Sequence, residues 1–336
     1  MSMAFFPGLD DLTATGAKQQ QLHEQAAAVA RQQFGKKVFV RAVVEISNFC
    51  RENCQYCGMR RDNRALRRYR FKVDDLAELI VNHRPSSITD INLQAGEDPV
   101  AVREVAIPLI KLIREKTPLG VSVCLGTLNE SIYADLQDAG ASIYIMKYET
   151  GAPNLYARYE CPGTFDERIA HIRYLRDKGW NVSSGFICGL PDEIGEDLLN
   201  NFRVASQLPL QGCSVSPYIA GESTPLSKTK NGSVEKTLNC MAALRLMRPD
   251  WVIPAVSALN IAGGACGYQR GLATGANLVT INMTPNNERG EYLLYKRDRF
   301  IMTEDRVLNA IEAEGLEPST ESLADHYRNA AVVSFK

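Results

Sequence analysis

Three thiols stand close together in Cys50-Arg51-Glu52-Asn53-Cys54-Gln55-Tyr56-Cys57, with three residues between the first pair and two between the second. Thiolates are soft ligands, suited to iron-sulfur clusters or zinc. The segment follows the apolar, β-branched run Val38 to Ile46 and is bounded by Ser47-Asn48 and Gly58, so it reads as a loop leaving a strand. A four-iron cubane has four iron corners; three thiolates from one loop would fix three of them and leave the last open to a substrate-like ligand. Two other readings compete. Buried free cysteines pack as small hydrophobes, but Arg51, Glu52, Asn53 and Gln55 between the thiols are poor core material. A zinc site wants a fourth Cys or His at a short, regular distance, and the nearest later candidates are His83 and Cys124.

The elements that must position this loop are visible as an alternation. Apolar β-rich runs fall near 38–46, 88–95, 120–126, 142–148, 181–189, 212–218, 252–258 and 276–283, with helical patterns near 73–84, 99–116, 130–139, 165–178, 194–207, 233–248, 264–273 and 303–314. Eight strands alternating with helices predict an α/β fold, a parallel sheet closed into a single TIM-type (β/α)8 barrel. A doubly wound open sheet is the alternative. A leading helix is expected over 17–33, a helix start at Asp74-Asp75, and a capping box from Thr164 to Glu167. Left-handed C-terminal residues are expected at Gly140 and Gly179. The division expected is an N-terminal helical extension over 1–36, the barrel over 37–320 and a C-terminal tail over 321–336. In a parallel barrel the site is built at the carboxyl ends of the strands. There lie the Cys loop, Gln94-Ala95-Gly96-Glu97-Asp98, Gly126-Thr127, Glu149-Thr150 and Gly189-Leu190-Pro191-Asp192-Glu193, after strands one to five in turn.

The Cys triplet, with Tyr56 just before its last thiol, resembles the signature of the radical SAM superfamily. The resemblance implies a 4Fe-4S cluster on Cys50, Cys54 and Cys57, whose free iron is chelated by S-adenosylmethionine. Electron transfer then splits the sulfonium to a 5′-deoxyadenosyl radical. Further segments carry the likeness. Ala95-Gly96-Glu97 resembles the Gly-Gly-Glu turn that holds the methionine amine, with Ala as a small departure. Glu149 matches an acidic residue that contacts S-adenosylmethionine, and Arg168 an arginine that pairs with its carboxylate, a task for which a guanidinium fork is suited. Gly185-Phe186-Ile187-Cys188-Gly189 resembles the strand on which adenine packs, which adds Ile187 to the cofactor-binding set. Over nearly the whole chain the resemblance is to the group containing biotin synthase, a hydrogenase maturase and methylornithine synthase.

Biotin synthase holds a second, sulfur-donating cluster. Its ligand positions fall here on Ile91, Ser122, Ser183 and Leu259, none of them a required ligand. Cys124, Cys161, Cys188, Cys213, Cys240 and Cys266 therefore read as core or incidental. The implied activity is hydrogen abstraction from a small, amino-acid-like substrate, for rearrangement or cofactor-precursor synthesis. Sulfur insertion and a non-enzymatic iron-sulfur carrier are the alternatives. Thr127, Ser183, Ser216, Tyr218, Ser257 and Asn282 are candidates to line the substrate cavity, with packing and turn roles equally open to each.

Composition fits this class. At 336 residues, 45% hydrophobic and 23% charged, the chain can bury an ample core. A net charge of −1 gives no pull toward nucleic acid or membrane. With no signal-type segment in the first thirty residues, no apolar run of spanning length and an odd count of nine Cys, a cytoplasmic location is expected. Arg60, Arg61, Arg64, Arg67, Arg68 and Arg70 crowd the segment after the triplet. They read either as a solvated face or as a basic surface that screens the cluster and receives an acidic electron donor such as a flavodoxin or ferredoxin.

Overall fold

The computed structural model describes residues 5–298 and 300–333; residues 1–4 of the expected extension and 334–336 of the expected tail lie outside the described residues. Among the described residues seven parallel strands form the body of the sheet, β1 (Lys37–Ser47), β2 (Asp90–Ala95), β3 (Gly120–Cys124), β4 (Ile143–Ile145), β5 (Asn181–Cys188), β6 (Gly212–Pro217) and β7 (Leu278–Asn282), and a two-residue strand, β8 (Glu317–Pro318), pairs with the start of β1. Their order is β6-β5-β4-β3-β2-β1-β7. The two edges meet through residues 252–254. Val252 bridges Gly212 of β6, Pro254 bridges Leu278 of β7, and the Val252 amide donates to Gln211 at 3.0 Å while Ala255 donates to Leu278 at 2.9 Å. A TIM-type ring results. The eighth strand expected over 252–258 is thus reduced to a bridge, because Pro254 has no amide to extend a ladder and Ala258–Gly263 turns helical.

Two-residue periodicity along the strands explains how a core and a cavity share one sheet. On β1, Val38, Val40, Ala42, Val44 and Ile46 point out into the main hydrophobic cluster. Arg41, Val43 and Glu45 point into the barrel. The same split puts Ile91 and Leu93 outward and Asn92 and Gln94 inward, Cys213 and Val215 outward and Ser214 and Ser216 inward, Val279 and Ile281 outward and Thr280 and Asn282 inward. The outer layer includes helices Val73–Asn82, Ile107–Lys116, Glu130–Asp138, Phe165–Asp177, Gly195–Gln207, Val234–Met247, Gly267–Ala273 and Glu304–Ala313. The capping box at Thr164 and Glu167 is present, Asp74 and Asp75 occupy the first turn of their helix, and Gly140 and Gly179 have φ of 112° and 85°.

The leading helix, Gly16–Phe34, packs Leu22 and Ala26 against Ala242. Near the other end of the chain, helix Leu323–Val333 closes the barrel floor. Leu323 and Tyr327 pack on Phe39, Ile143, Val252 and Leu278 at the amino ends of the strands, and the Leu323 amide donates to Asp90 at 2.8 Å. Among the described residues this helix covers the amino ends of the strands.

Candidate active site

The Cys loop leaves β1 at Ser47 and is held by groups that sequence reading treated as surface or did not single out. Arg68 is the principal staple. Its guanidinium donates to the carbonyls of Asn48 (2.6 Å), Met59 (2.8 Å), Arg60 (2.7 Å) and Asn63 (3.4 Å), tying both ends of the loop together. Asn48 works beside it, donating to Arg67 and Glu291 carbonyls and accepting from the Tyr69 amide. Arg70 lies over the Phe49 ring and forks onto buried Asp98, which also accepts from the Ser47 hydroxyl at 2.7 Å. Arg67 pairs with Glu288, and Arg61 with Asp62. The arginine run is therefore not a uniform basic face. Arg68 is half-buried on the loop carbonyls, Arg70 is exposed but spends its guanidinium on Asp98, and Arg61 and Arg64 are exposed.

The β2 turn meets this loop at very close range. A Cβ on Gly96 would stand 2.2 Å from the Phe49 oxygen and 2.8 Å from the Cys50 Cβ, so only glycine lets the strands approach. The approach is sealed by Glu97, whose amide donates to Cys50 Sγ at 3.4 Å and whose carbonyl accepts from Arg51 at 3.1 Å. The buried Glu97 carboxylate accepts from Arg168 (3.1 Å), the Thr127 amide (2.9 Å) and Arg51 (3.2 Å). Gly126, at φ 76°, passes so near the Glu97 side chain that a Cβ there would overlap it.

Glu149 follows β4 in a left-handed conformation, φ 62°, which L-residues with side chains adopt at a cost. Bonds to both neighbours on β5 hold it there: its amide donates to Gly185 and its carbonyl accepts from Ile187 at 2.8 Å. Burial raises its carboxyl above the usual range, opposed by the charges of Lys147 and Arg168. For Arg168, burial alone would lower the guanidinium; Glu97, Tyr156 and Glu149 together outweigh that, and the net shift is upward.

One cavity gathers these groups. Cys50, Cys54, Cys57, Tyr56, Ala95, Gly96, Glu97, Glu149, Arg168 and Ile187 all line it. Tyr56 packs in the cluster around Tyr156, Tyr159 and Ile187, with its hydroxyl 3.6 Å from Cys161 Sγ. The thiols are free and burial raises the titration of all three; neighbouring thiols add to it at Cys54 and at Cys57, which is pushed up to about 12. Among the described residues no three His, Cys, Asp or Glu groups converge on a point where a single ion would sit. Three thiols spread round one cavity wall suit a cubane, each of whose corners takes one thiolate.

A second cavity continues below the first. The two share Gln94, Cys124, Ile145, Lys147, Ser216, Leu294 and Tyr295. Of the candidate substrate-facing residues, Ser183, Ser216, Ser257 and Asn282 line the inner chamber and Tyr218 the outer. Thr127 lines neither and serves Glu97 and Arg51 through its backbone. Cys124, expected to be core or incidental, faces both chambers. Cys188, Cys213 and Cys240 are buried, Cys161 packs near Tyr56, and Cys266 is exposed. Lys147 and a strap made of residues 290–298 and 300–302, which supplies Tyr292, Leu294, Tyr295 and Met302 to the cavity walls, escaped the sequence reading. The strap ties down on the Cys loop through the Asn48–Glu291 bond and on the β6 loop through the Glu222 amide and Tyr295 carbonyl at 2.7 Å.

Comparison with known proteins decides the family. The model of the radical SAM superfamily matches residues 44–205. The [FeFe] hydrogenase maturase subunit HydE of Thermotoga maritima is 31% identical over 89% of this chain and 87% of its own length. The chain belongs to the radical SAM superfamily. The 3-methylornithine synthase of Methanosarcina barkeri is 25% identical over 90% of this chain and 86% of its own length. In fold, a crystal structure of methylornithine synthase (PylB) superposes with a TM-score of 0.83 at 23% identity, covering 98% of this chain and 97% of that one. A 4Fe-4S cluster and S-adenosylmethionine are accordingly the cofactors of this radical SAM protein. The three soft donors on one cavity wall, and the glycine-lined approach beside them, fit such a cluster. No described helix is long and apolar enough to cross a membrane.

Proposed function

We propose that this chain cleaves S-adenosylmethionine reductively at its cluster and uses the resulting 5′-deoxyadenosyl radical to take hydrogen from a small molecule in the inner chamber, for rearrangement or cofactor-precursor synthesis. When bound, the cluster supplies the electron for that cleavage and an open iron for the methionine end of the cosubstrate. Cys50, Cys54 and Cys57 hold it. Glu97, Glu149 and Arg168, with the Ala95-Gly96 backbone, place the amino and carboxylate groups of the cosubstrate, and Tyr56 and Ile187 its adenosine half. The plugged floor and the 290–302 strap keep water and stray hydrogen donors away. A flavodoxin- or ferredoxin-type protein is the electron donor, docking at exposed Arg61 and Arg64.

The observation that supports this reading is the continuity of the two chambers through seven shared residues, which joins the cavity that holds the three thiols to a second chamber inside the barrel. Anaerobically reconstituted, reduced protein should form 5′-deoxyadenosine from S-adenosylmethionine. Well-reconstituted protein that forms none would instead support an iron-sulfur carrier, and a second intrinsic cluster in the iron and sulfide count would support sulfur insertion.

A further inference from the structure

Of the cysteines outside the triplet, Cys124 alone lines either chamber among the described residues, and it lines both. It ends β3, with Val123 and Leu125 buried in the main core on the outer face of the sheet and its own side chain turned into the barrel. Its register partner on β2 is Gln94, which also belongs to both chambers. The remaining thiols have other places. Cys161 meets the Tyr56 hydroxyl at 3.6 Å, Cys188 faces Cys240 at 4.0 Å, Cys213 is buried and Cys266 is exposed. Among the residues that the two chambers share, only Cys124 and Tyr295 carry a hydrogen, on sulfur or on a phenolic oxygen, that is held far more weakly than a methyl C–H of 5′-deoxyadenosine.

A cavity that shelters an alkyl radical must keep side reactions out, and a weak S–H bond on its wall invites one. A thiol where the chambers join is harmless only if hydrogen passes through it and returns. Such a passage balances. The 5′-deoxyadenosyl carbon takes the hydrogen of Cys124, so that an S–H bond breaks, a C–H bond forms and the unpaired electron is left on sulfur. That sulfur then takes a hydrogen from the substrate, breaking a C–H bond, re-forming S–H and leaving the unpaired electron on the substrate carbon. No electron is needed beyond the one that cleaves the cosubstrate, and the thiol ends as it began. Burial raises the Cys124 thiol above its usual range, with Lys147 pulling the other way, so the sulfur holds its hydrogen at neutral pH.

We propose that Cys124 relays hydrogen between the two chambers, passing the radical from the cosubstrate in the outer one to a substrate C–H bond in the inner one that is weakened by an adjacent nitrogen, oxygen or carbonyl group. This rests on the assignment of the two chambers made above. The limit on the substrate follows from bond strength, because a sulfur radical removes hydrogen efficiently only from such activated positions and not from a plain alkyl carbon.

The test gives reduced, cluster-loaded protein S-adenosylmethionine alone, in heavy water. Hydrogen on sulfur exchanges with solvent and hydrogen on carbon does not, so a radical quenched by Cys124 leaves 5′-deoxyadenosine carrying one deuterium, read by mass spectrometry as a fraction of the product and not as its amount. That fraction should be at least tenfold lower in Cys124→Ala and Cys124→Ser than in wild type, and Tyr295→Phe should keep it. A wild-type fraction no higher than that of Cys124→Ala, or one lost in Tyr295→Phe and kept in Cys124→Ala, would overturn the relay. Labelling of the cluster-loaded protein with methyl methanethiosulfonate needs no turnover: S-adenosylmethionine should slow modification of Cys124, located by peptide mass spectrometry, at least tenfold, and an unchanged rate would equally overturn the relay. A failure to form any 5′-deoxyadenosine counts against the cleavage reaction proposed above, and the labelling result then decides the placement of Cys124 separately.

Discussion

Arg68 carries the loop that carries the thiols, and its removal makes a quantitative test. In Arg68→Ala, three carbonyl contacts of 2.6–2.8 Å and a fourth of 3.4 Å are lost together. The side chain is half-buried, so a value near the low end for such bonds, about 1 kcal/mol for each short one, is appropriate. The loop should then lose about 3 kcal/mol of local ordering free energy, a rise on the order of a hundredfold in its opened population. Hydrogen exchange of the amides in residues 48–63 reads that opening directly, and iron bound per chain after anaerobic reconstitution reads its consequence. Arg68→Lys keeps the charge but lacks the fork that reaches several carbonyls at once, and should fall between. Arg64→Ala, an exposed position with the same loss of charge, is the control. If Arg68→Ala matched Arg64→Ala in both exchange and iron content, the stapling role would be refuted.

Other outcomes follow from the same geometry. Gly96→Ala forces a methyl onto the Phe49 carbonyl and the Cys50 Cβ, so it should cost about 1–3 kcal/mol of stability and lower iron content; normal loading would show that the turn can move aside. Glu149→Gly relieves a left-handed backbone worth about 1–2 kcal/mol, so thermal stability should hold or rise while S-adenosylmethionine cleavage falls at least tenfold; a stability loss without an activity loss would contradict the assigned role. Burial raises the Glu193 carboxyl to about 7. The folded state therefore holds its proton more tightly than the unfolded one, and wild-type stability should fall relative to Glu193→Gln as pH rises from about 4.5 through 7, by about 3 kcal/mol in all. Urea unfolding at pH 5 and pH 8 would measure it, and parallel curves for the two proteins would exclude it. Charge reversal at Arg61 and Arg64 should slow reduction by a flavodoxin-type donor and spare reduction by a small chemical reductant; equal slowing of both would count against docking there.

The barrel was legible because its strands, buried on the outer side by helices, keep long apolar runs punctuated by polar turns at one end. The Cys loop and the Gly96, Glu149 and Gly189 turns follow those runs directly, so their common address at the strand ends could be read along the chain. What could not be read depends on contacts across it. Arg68 and Arg70 sit in a run of arginines that looks like solvated surface, and only the fold reveals that one binds the loop carbonyls and the other Asp98. Lys147 is flanked by Met146 and Tyr148, and nothing local distinguishes it from a snorkelling surface lysine. The strap 290–302 has neither helical nor strand periodicity, because it is held by Asn48 and Glu222 rather than by a pattern of its own. At 252–258 the apolar run predicts a full strand, whereas only bridges at Val252 and Pro254 form, because Pro254 has no amide to extend a ladder.

The most direct measurement of the claim that three thiols hold a cubane with one open iron is electron paramagnetic resonance of the reduced, oxygen-protected protein, with iron and sulfide counted on the same sample. About four irons and four sulfides per chain are expected, with a spectrum that changes on adding S-adenosylmethionine and disappears in Cys50→Ala, Cys54→Ala and Cys57→Ala. Zinc or no metal at those thiols, or a cluster whose spectrum is indifferent to S-adenosylmethionine, would contradict it.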